Sequence, residues 1–134
     1  MFNTASKILI VDDMLTIRKI TKKTLTDMHF KHIEEASNGA EAWQLISKSP
    51  AFDFIICDWN MPKMTGLEVL SKLRNTPELA KTPFILLTAE SDLAQVKTAI
   101  QAGVDDYILK PFTSDTFRAR LEAVHQKVLS RQAA

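Results

Sequence analysis

The chain has 134 residues, 46% of them hydrophobic and 25% charged, with a net charge of +1 at pH 7. That length fits one core-forming domain, expected to occupy 1–134, and a charge so near zero argues against a dedicated nucleic-acid surface. Met1 to Ser6 has no apolar signal-peptide segment, and no apolar stretch approaches the roughly 20 residues that span a bilayer, so a soluble, cytoplasmic protein without membrane or nucleic-acid partners is expected.

Short apolar runs alternate with helical patterns along the chain. Ile8-Leu9-Ile10-Val11 is closed by Asp12-Asp13, and Ile17, Ile20, Leu25 and Met28 then mark one side of a first helix. Ile33-Glu34-Glu35-Ala36 has the mixed polarity of a strand near an edge. Asn38-Gly39 precedes a second helix carrying Trp43 and Ile46. Phe54-Ile55-Ile56-Cys57 is closed by Asp58, and Leu67, Leu70 and Leu73 predict a third helix. Cys57, the one cysteine, allows no internal disulfide and sits where a small buried hydrophobe belongs. Phe84-Ile85-Leu86-Leu87 runs into Thr88-Ala89. Ser91-Asp92 can cap a fourth helix with Leu93, Val96 and Ile100, which Gly103 can end. Tyr107-Ile108-Leu109 meets Lys110-Pro111, and Phe117, Leu121, Val124 and Val128 stripe a fifth helix before a frayed Gln132-Ala133-Ala134.

Runs apolar on both faces are what central strands of a parallel sheet look like. Five strands alternating with five helices predict a doubly wound α/β domain with a parallel five-stranded sheet and helices on both faces. Right-handed crossovers place every carboxyl end on one edge, where ligands of open parallel sheets bind. The residues at those ends are Asp12, Asp13, Asp58, Thr88 and Lys110. Each has an ordinary explanation alone: a helix cap, turn chemistry, a strand threonine, a surface charge. Together they form a set. Clustered carboxylates repel unless a hard cation joins them, and Mg²⁺ prefers oxygen ligands. A lysine and a hydroxyl beside them suit phosphoryl oxygens.

The ordered set Asp12-Asp13, Asp58, Thr88-Ala89 and Lys110-Pro111 resembles the signature of bacterial two-component response-regulator receiver domains. Asp58-Trp59-Asn60-Met61-Pro62, Thr88-Ala89-Glu90, Gln101-Ala102-Gly103 and Lys110-Pro111-Phe112-Thr113 are similar to the CheY-like chemotaxis branch, and the likeness runs from about Lys7 to about Leu129. The resemblance implies the strand order 2-1-3-4-5, which the sequence alone does not give. It implies a signalling switch, not an enzyme with a substrate of its own. Asp58 would accept a phosphoryl group from a sensor histidine kinase or phosphotransfer domain. Asp13, Asp58 and the Asn60 carbonyl would hold Mg²⁺, with Mn²⁺ as the alternative ion and Asp12 acting through water. Thr88, the Ala89 amide and Lys110 would bind phosphoryl oxygens. Thr88 and Tyr107 would form the switch that alters the helix 4, strand 5 and helix 5 face for a downstream partner, and Asn60 and Glu90 would tune dephosphorylation. The same likeness implies a cis Lys110–Pro111 bond, Trp59 beside the metal site and Trp43 as a packing residue.

Arg18, Lys19, Lys22 and Lys23 make a basic cluster on the first helix, open to two readings: a partner-docking face or a solvated one. His29, His32 and His125 have no metal-ligand spacing and receive no role. Met14, Ser91-Asp92-Leu93 and Thr65 depart from the CheY-like pattern without touching the core chemistry. Rival readings are a Mg²⁺-dependent aspartyl-nucleophile phosphatase or phosphotransferase, for which the chain lacks a cap or long inserted loop, and a nucleotide- or flavin-binding module, for which it lacks a glycine-rich phosphate loop. A third is a receiver cut from a longer regulator with a DNA-binding or enzymatic output.

Overall fold

Burial on both faces is the property that sets the central strands of this chain apart from its helices. A computed structural model describes residues 5–48, 52–89 and 93–133. Its strands are β1 (Lys7–Val11), β2 (His32–Ala36), β3 (Phe54–Asp58), β4 (Phe84–Thr88) and β5 (Asp106–Leu109). Its helices are α1 (Leu15–Asp27), α2 (Gly39–Lys48), α3 (Gly66–Arg74), α4 (Leu93–Ala102) and α5 (Ser114–Ala133), with a short 3₁₀ turn at Pro77–Leu79. All pairings are parallel and the order is β2-β1-β3-β4-β5. Every residue of β3 and β4 is buried, which is why both read as unbroken apolar runs. The edge strand β2 is only partly buried, matching its mixed composition.

Alternate strand residues feed two cores. Leu9, Val11, Ile55, Cys57, Phe84 and Leu86 face α2, α3 and α4 through Ala42, Ile46, Val69, Leu70, Leu73 and Ala99. Ile8, Ile10, Phe54, Ile56, Ile85, Leu87 and Ile108 face α1 and α5 through Leu25, Met28, Phe117, Leu121 and Val124. Trp43 packs at the margin of the first core, with the Lys72 ammonium 5.1 Å from its ring centre.

Two expected core positions are corrected. Ile20 is 46% exposed and Ile100 is 61% exposed. On α1 the buried face carries Thr21, Thr24 and Leu25, so Ile20 falls at its margin. On α4 the buried residue is Ala99, and a neighbour one step along a helix points about 100° away. A small residue lets that helix approach the sheet closely, and an aliphatic count does not register it. Ser91-Asp92, expected to cap α4, lies outside the described residues, as does Ala134 of the expected frayed end. Gln132 and Ala133 lie within the helix α5. Gly103 does follow α4, with φ +94°.

At the amino-terminal edge of the sheet one side chain ties several elements together. Arg74 donates from Nε to the Gly103 carbonyl (2.9 Å), from one terminal nitrogen to the Thr82 carbonyl (2.6 Å), and from the other to Asp105 Oδ2 (3.0 Å). The same Asp105 oxygen accepts from the Phe84 amide at 2.7 Å, and Lys127 of α5 donates to the Asp105 carbonyl at 2.7 Å. The ends of α3 and α4 are thereby fixed to the starts of β4 and β5.

At the other edge, α3 begins hard against the end of β3. Thr65 caps it in a reciprocal box with Glu68, accepting from the Glu68 amide at 3.2 Å, while Glu68 accepts from the Thr65 amide at 3.3 Å. That role accounts for the threonine that departs from the family pattern. Gly66 donates to the Trp59 carbonyl at 2.9 Å, and a Cβ on it would stand 2.3 Å from the Asp58 carbonyl oxygen. Gly66→Ala is therefore expected to destabilise the domain by about 3 kcal/mol, the upper end for overpacking a closed space, as read from urea unfolding.

Candidate functional site

Strand register brings the polar ends together. Val11 pairs with Cys57, so Asp12 and Asp58 are the next residues on adjacent strands. Asp58 pairs with Leu87, placing Thr88 one step further, and Thr88 pairs with Leu109, placing Lys110 next in line. Lys110 donates its amide to the Thr88 carbonyl at 2.8 Å, and the Lys110–Pro111 bond is cis.

The side chains converge as the strand ends do. Lys110 Nζ lies 2.9 Å from Asp12 Oδ2 and 3.0 Å from Asp58 Oδ1. One carboxylate oxygen from each of Asp12, Asp13 and Asp58 falls in a group no wider than 4.8 Å. Asp12 and Asp58 are buried, whereas Asp13 is exposed. All four polar atoms of Asp12 are engaged: its amide with the Ala36 carbonyl, its carbonyl with Arg18, Oδ1 with the Met14 amide and Oδ2 with Lys110. Asp13 has no hydrogen-bonding side-chain partner among the described residues. The two adjacent acids thus differ in kind: one is a fixed strut, the other a free donor.

Burial pushes the Asp58 carboxyl from 3.8 up to about 6, the Lys110 hydrogen bond and charge opposing the rise and the charges of Asp12 and Asp13 adding to it. For Lys110, burial works against the ammonium, but hydrogen bonds and charges from Asp12 and Asp58 outweigh it and raise its pKa. Three carboxylates against one ammonium leave two negative charges unbalanced at neutral pH, the charge of one divalent ion. The donors are all hard oxygens, so the cluster can hold a metal ion of the Mg²⁺ type. Burial, then Asp58 and Asp12, lift the Cys57 thiol well above its ordinary range, and it is a core residue, not a nucleophile.

The remaining expected residues fall around this cluster. Thr88 is buried at the end of β4 and Ala89 is exposed beyond it. Asn60 is exposed in the loop two residues after Asp58, and Trp59 between them packs against the first core. Tyr107 is half-buried on β5, its ring centre 5.8 Å from the Arg120 guanidinium carbon. Glu90 lies outside the described residues. The basic cluster on α1 divides: Arg18 and Lys22 pair with Glu35, Lys23 pairs with Asp27, and Lys19 is exposed. Two contributors escaped the sequence reading. Gly66 gave no signal beyond its place after a turn, and Arg18 was seen only as one base among four.

A sheet of this order with an acidic cleft at its carboxyl edge places the chain among doubly wound α/β modules whose site could hold a cation, a frame that phosphoryl-accepting switches share. The pattern of the response regulator receiver domain matches residues 8–122, and the chain belongs to that family, whose members act in phosphorylation-dependent signalling as switches. A chemotaxis protein CheY homologue of Campylobacter jejuni is 44% identical over 118 residues, covering 88% of this chain and 91% of the relative. The chemotaxis regulator CheY4 of Vibrio cholerae superposes with a TM-score of 0.82 at 34% identity, over 90% of this chain and 98% of that one. A receiver domain of a Pseudomonas aeruginosa sensor histidine kinase, solved with magnesium in its active-site cleft, shares the fold at TM-score 0.78 and 22% identity, over 90% of this chain and 98% of that one. Among the described residues no helix is long and apolar enough to cross a membrane.

The folded Asp58 carboxyl holds its proton more tightly than the unfolded chain does, so the folded state binds more protons between the two pKa values. Metal-free stability from this group is therefore full below pH 3.8 and is lost as pH rises toward about 6. Asp58→Asn is expected to remove that decline and to raise the metal-free melting temperature at pH 7.

Proposed function

We propose that the chain is a single receiver domain that accepts a phosphoryl group on Asp58 from a histidine kinase or phosphotransfer domain and signals through the face built by α4, β5 and α5. The observation that carries this reading is the Lys110 ammonium shared between Asp12 and Asp58 at 2.9 and 3.0 Å, at the edge where the strand ends meet. Above pH 6 the Asp58 carboxyl is an anion, and a carboxylate oxygen is the nucleophile that attack on phosphorus requires. The new P–O bond forms as the P–N bond to the donor imidazole breaks, and the imidazole, already carrying a proton on its other ring nitrogen, departs neutral.

Asp13, Asp58 and the Asn60 carbonyl would hold Mg²⁺, with Mn²⁺ as the alternative ion, and Asp12 would act through water. The engaged state of Asp12 and the free state of Asp13 support that division. When bound, the ion supplies positive charge to the phosphoryl oxygens and relieves the repulsion among the acids. Lys110 adds a second positive charge, and Thr88 and the Ala89 amide donate to the remaining oxygens. Such catalysis is positioning and electrostatics. The acyl phosphate then carries about two negative charges where the carboxylate carried one, in a crowded cleft. Thr88 would move toward them and Tyr107 would repack, altering the output face; Asn60 and Glu90 would set how long the mark survives. The protein would work in the cytoplasm, where its kinase and phosphodonor are found.

Incubation with phosphoramidate or acetyl phosphate is expected to add one hydroxylamine-labile phosphoryl group, seen by intact mass. The adduct should need Mg²⁺ and be absent from Asp58→Asn. Lys110→Ala is expected to accept the group yet leave the α4-β5-α5 face in its resting state, as read from amide exchange. A stable adduct at another residue in Asp58→Asn would overturn the assignment of the nucleophile.

A further inference from the structure

Arg18 stands one turn into α1, where a positive charge is unfavourable. The amino end of a helix carries a partial positive charge, which disfavours a cation there. A compensating contact is therefore required, and the structure shows it. One terminal nitrogen of Arg18 donates to the backbone carbonyl of Asp12 at 2.6 Å, and Nε donates to Glu35 Oε1 at 3.3 Å. The other Glu35 oxygen lies 3.4 Å from Lys22 Nζ. The Arg18 side chain is only 15% exposed, so it belongs neither to a solvated face nor to a docking surface.

The carbonyl it holds is the oxygen of the peptide that joins Asp12 to Asp13. That peptide is a rigid plane. Fixing its oxygen fixes its nitrogen, which belongs to Asp13. Asp13 is exposed and its carboxylate has no hydrogen-bonding partner among the described residues, so among these contacts only its backbone sets where its side chain starts and which way it can reach. On the reading of the site proposed above, Asp13 is the acid that meets the metal directly. We infer that Arg18, oriented by Glu35, is a positioning residue for the cation site: it aims Asp13 by clamping the Asp12–Asp13 peptide.

Charge and geometry make opposite demands here, which gives the inference a sign. If Arg18 were only a nearby positive charge, removing it would tighten binding of a divalent cation. As a positioning residue, its removal loosens Asp13 and weakens binding, by about tenfold where an outer contact orients a ligand. The test is Mg²⁺ titration by calorimetry on the full chain for wild type, Arg18→Met, Arg18→Lys, Glu35→Gln and Asp13→Asn. Arg18→Met is expected to bind Mg²⁺ about tenfold more weakly. Arg18→Lys should recover part of the loss, because an ammonium can reach one of the two partners, and Glu35→Gln should show a smaller loss.

In metal-free protein the Asp12 carbonyl carbon resonance should shift in Arg18→Lys, a readout that stands if the Met variant fails to fold. Wild-type or tighter Mg²⁺ affinity in Arg18→Met, or in Arg18→Lys with an unshifted Asp12 resonance, overturns the inference while leaving the site intact. Asp13→Asn separates the two levels: if it binds Mg²⁺ as wild type does, the reading of the metal site has failed and the role of Arg18 falls with it.

Discussion

The ammonium of Lys110, shared between Asp12 and Asp58, is the interaction on which the rest of the cleft depends. It comes from the far end of the chain and bridges the ends of two neighbouring central strands, and it has two buried acids to satisfy. One cation cannot balance three carboxylates. The cleft is left with an excess of negative charge that the rest of the fold must hold in place, and a divalent ion could offset it. Burying an acid without full compensation raises its pKa, which is the state of Asp58. The site is strained in charge, not in backbone.

The opposite edge of the sheet has the reverse character. Arg74 and Asp105 are an almost buried, closely hydrogen-bonded pair that also satisfies the Phe84 amide and the Gly103, Ala80 and Thr82 carbonyls. Here charge and hydrogen bonds are matched, so this edge is the fixed end of the molecule. The two ends divide the labour. One anchors α3, α4 and β5, and the other presents an imbalance that binding can relieve. A change in the cleft therefore has a rigid base to act against, as a switch between discrete packings requires.

Much of this was legible in the residues. The strands announced themselves because a parallel sheet covered on both faces needs apolar side chains at every position, and Ile8-Leu9-Ile10-Val11 and Phe84-Ile85-Leu86-Leu87 have them. The carboxyl-end residues followed, since right-handed crossovers put Asp12, Asp58, Thr88 and Lys110 on one edge. Strand order was not legible, because four similar apolar runs and one mixed strand can be arranged in several ways; the resemblance implies it. Ile20 and Ile100 misled for a different reason. The helices approach the sheet through Thr21, Thr24 and Ala99, and an apolar stripe read from large aliphatics misses contacts made by small side chains. Arg18 was hidden because a base on a helix looks the same whether it faces water or a carbonyl. Only the register of β2, which sets Glu35 beside Ile10, tells the two apart.

The measurement that tests the central claim most directly is the pH titration of the Asp58 side-chain carboxyl by carbon NMR in metal-free protein. A cleft in which one ammonium serves two buried acids predicts a midpoint near 6. A midpoint at or below the ordinary 3.8 would contradict it, showing that Lys110 fully compensates the burial of Asp58.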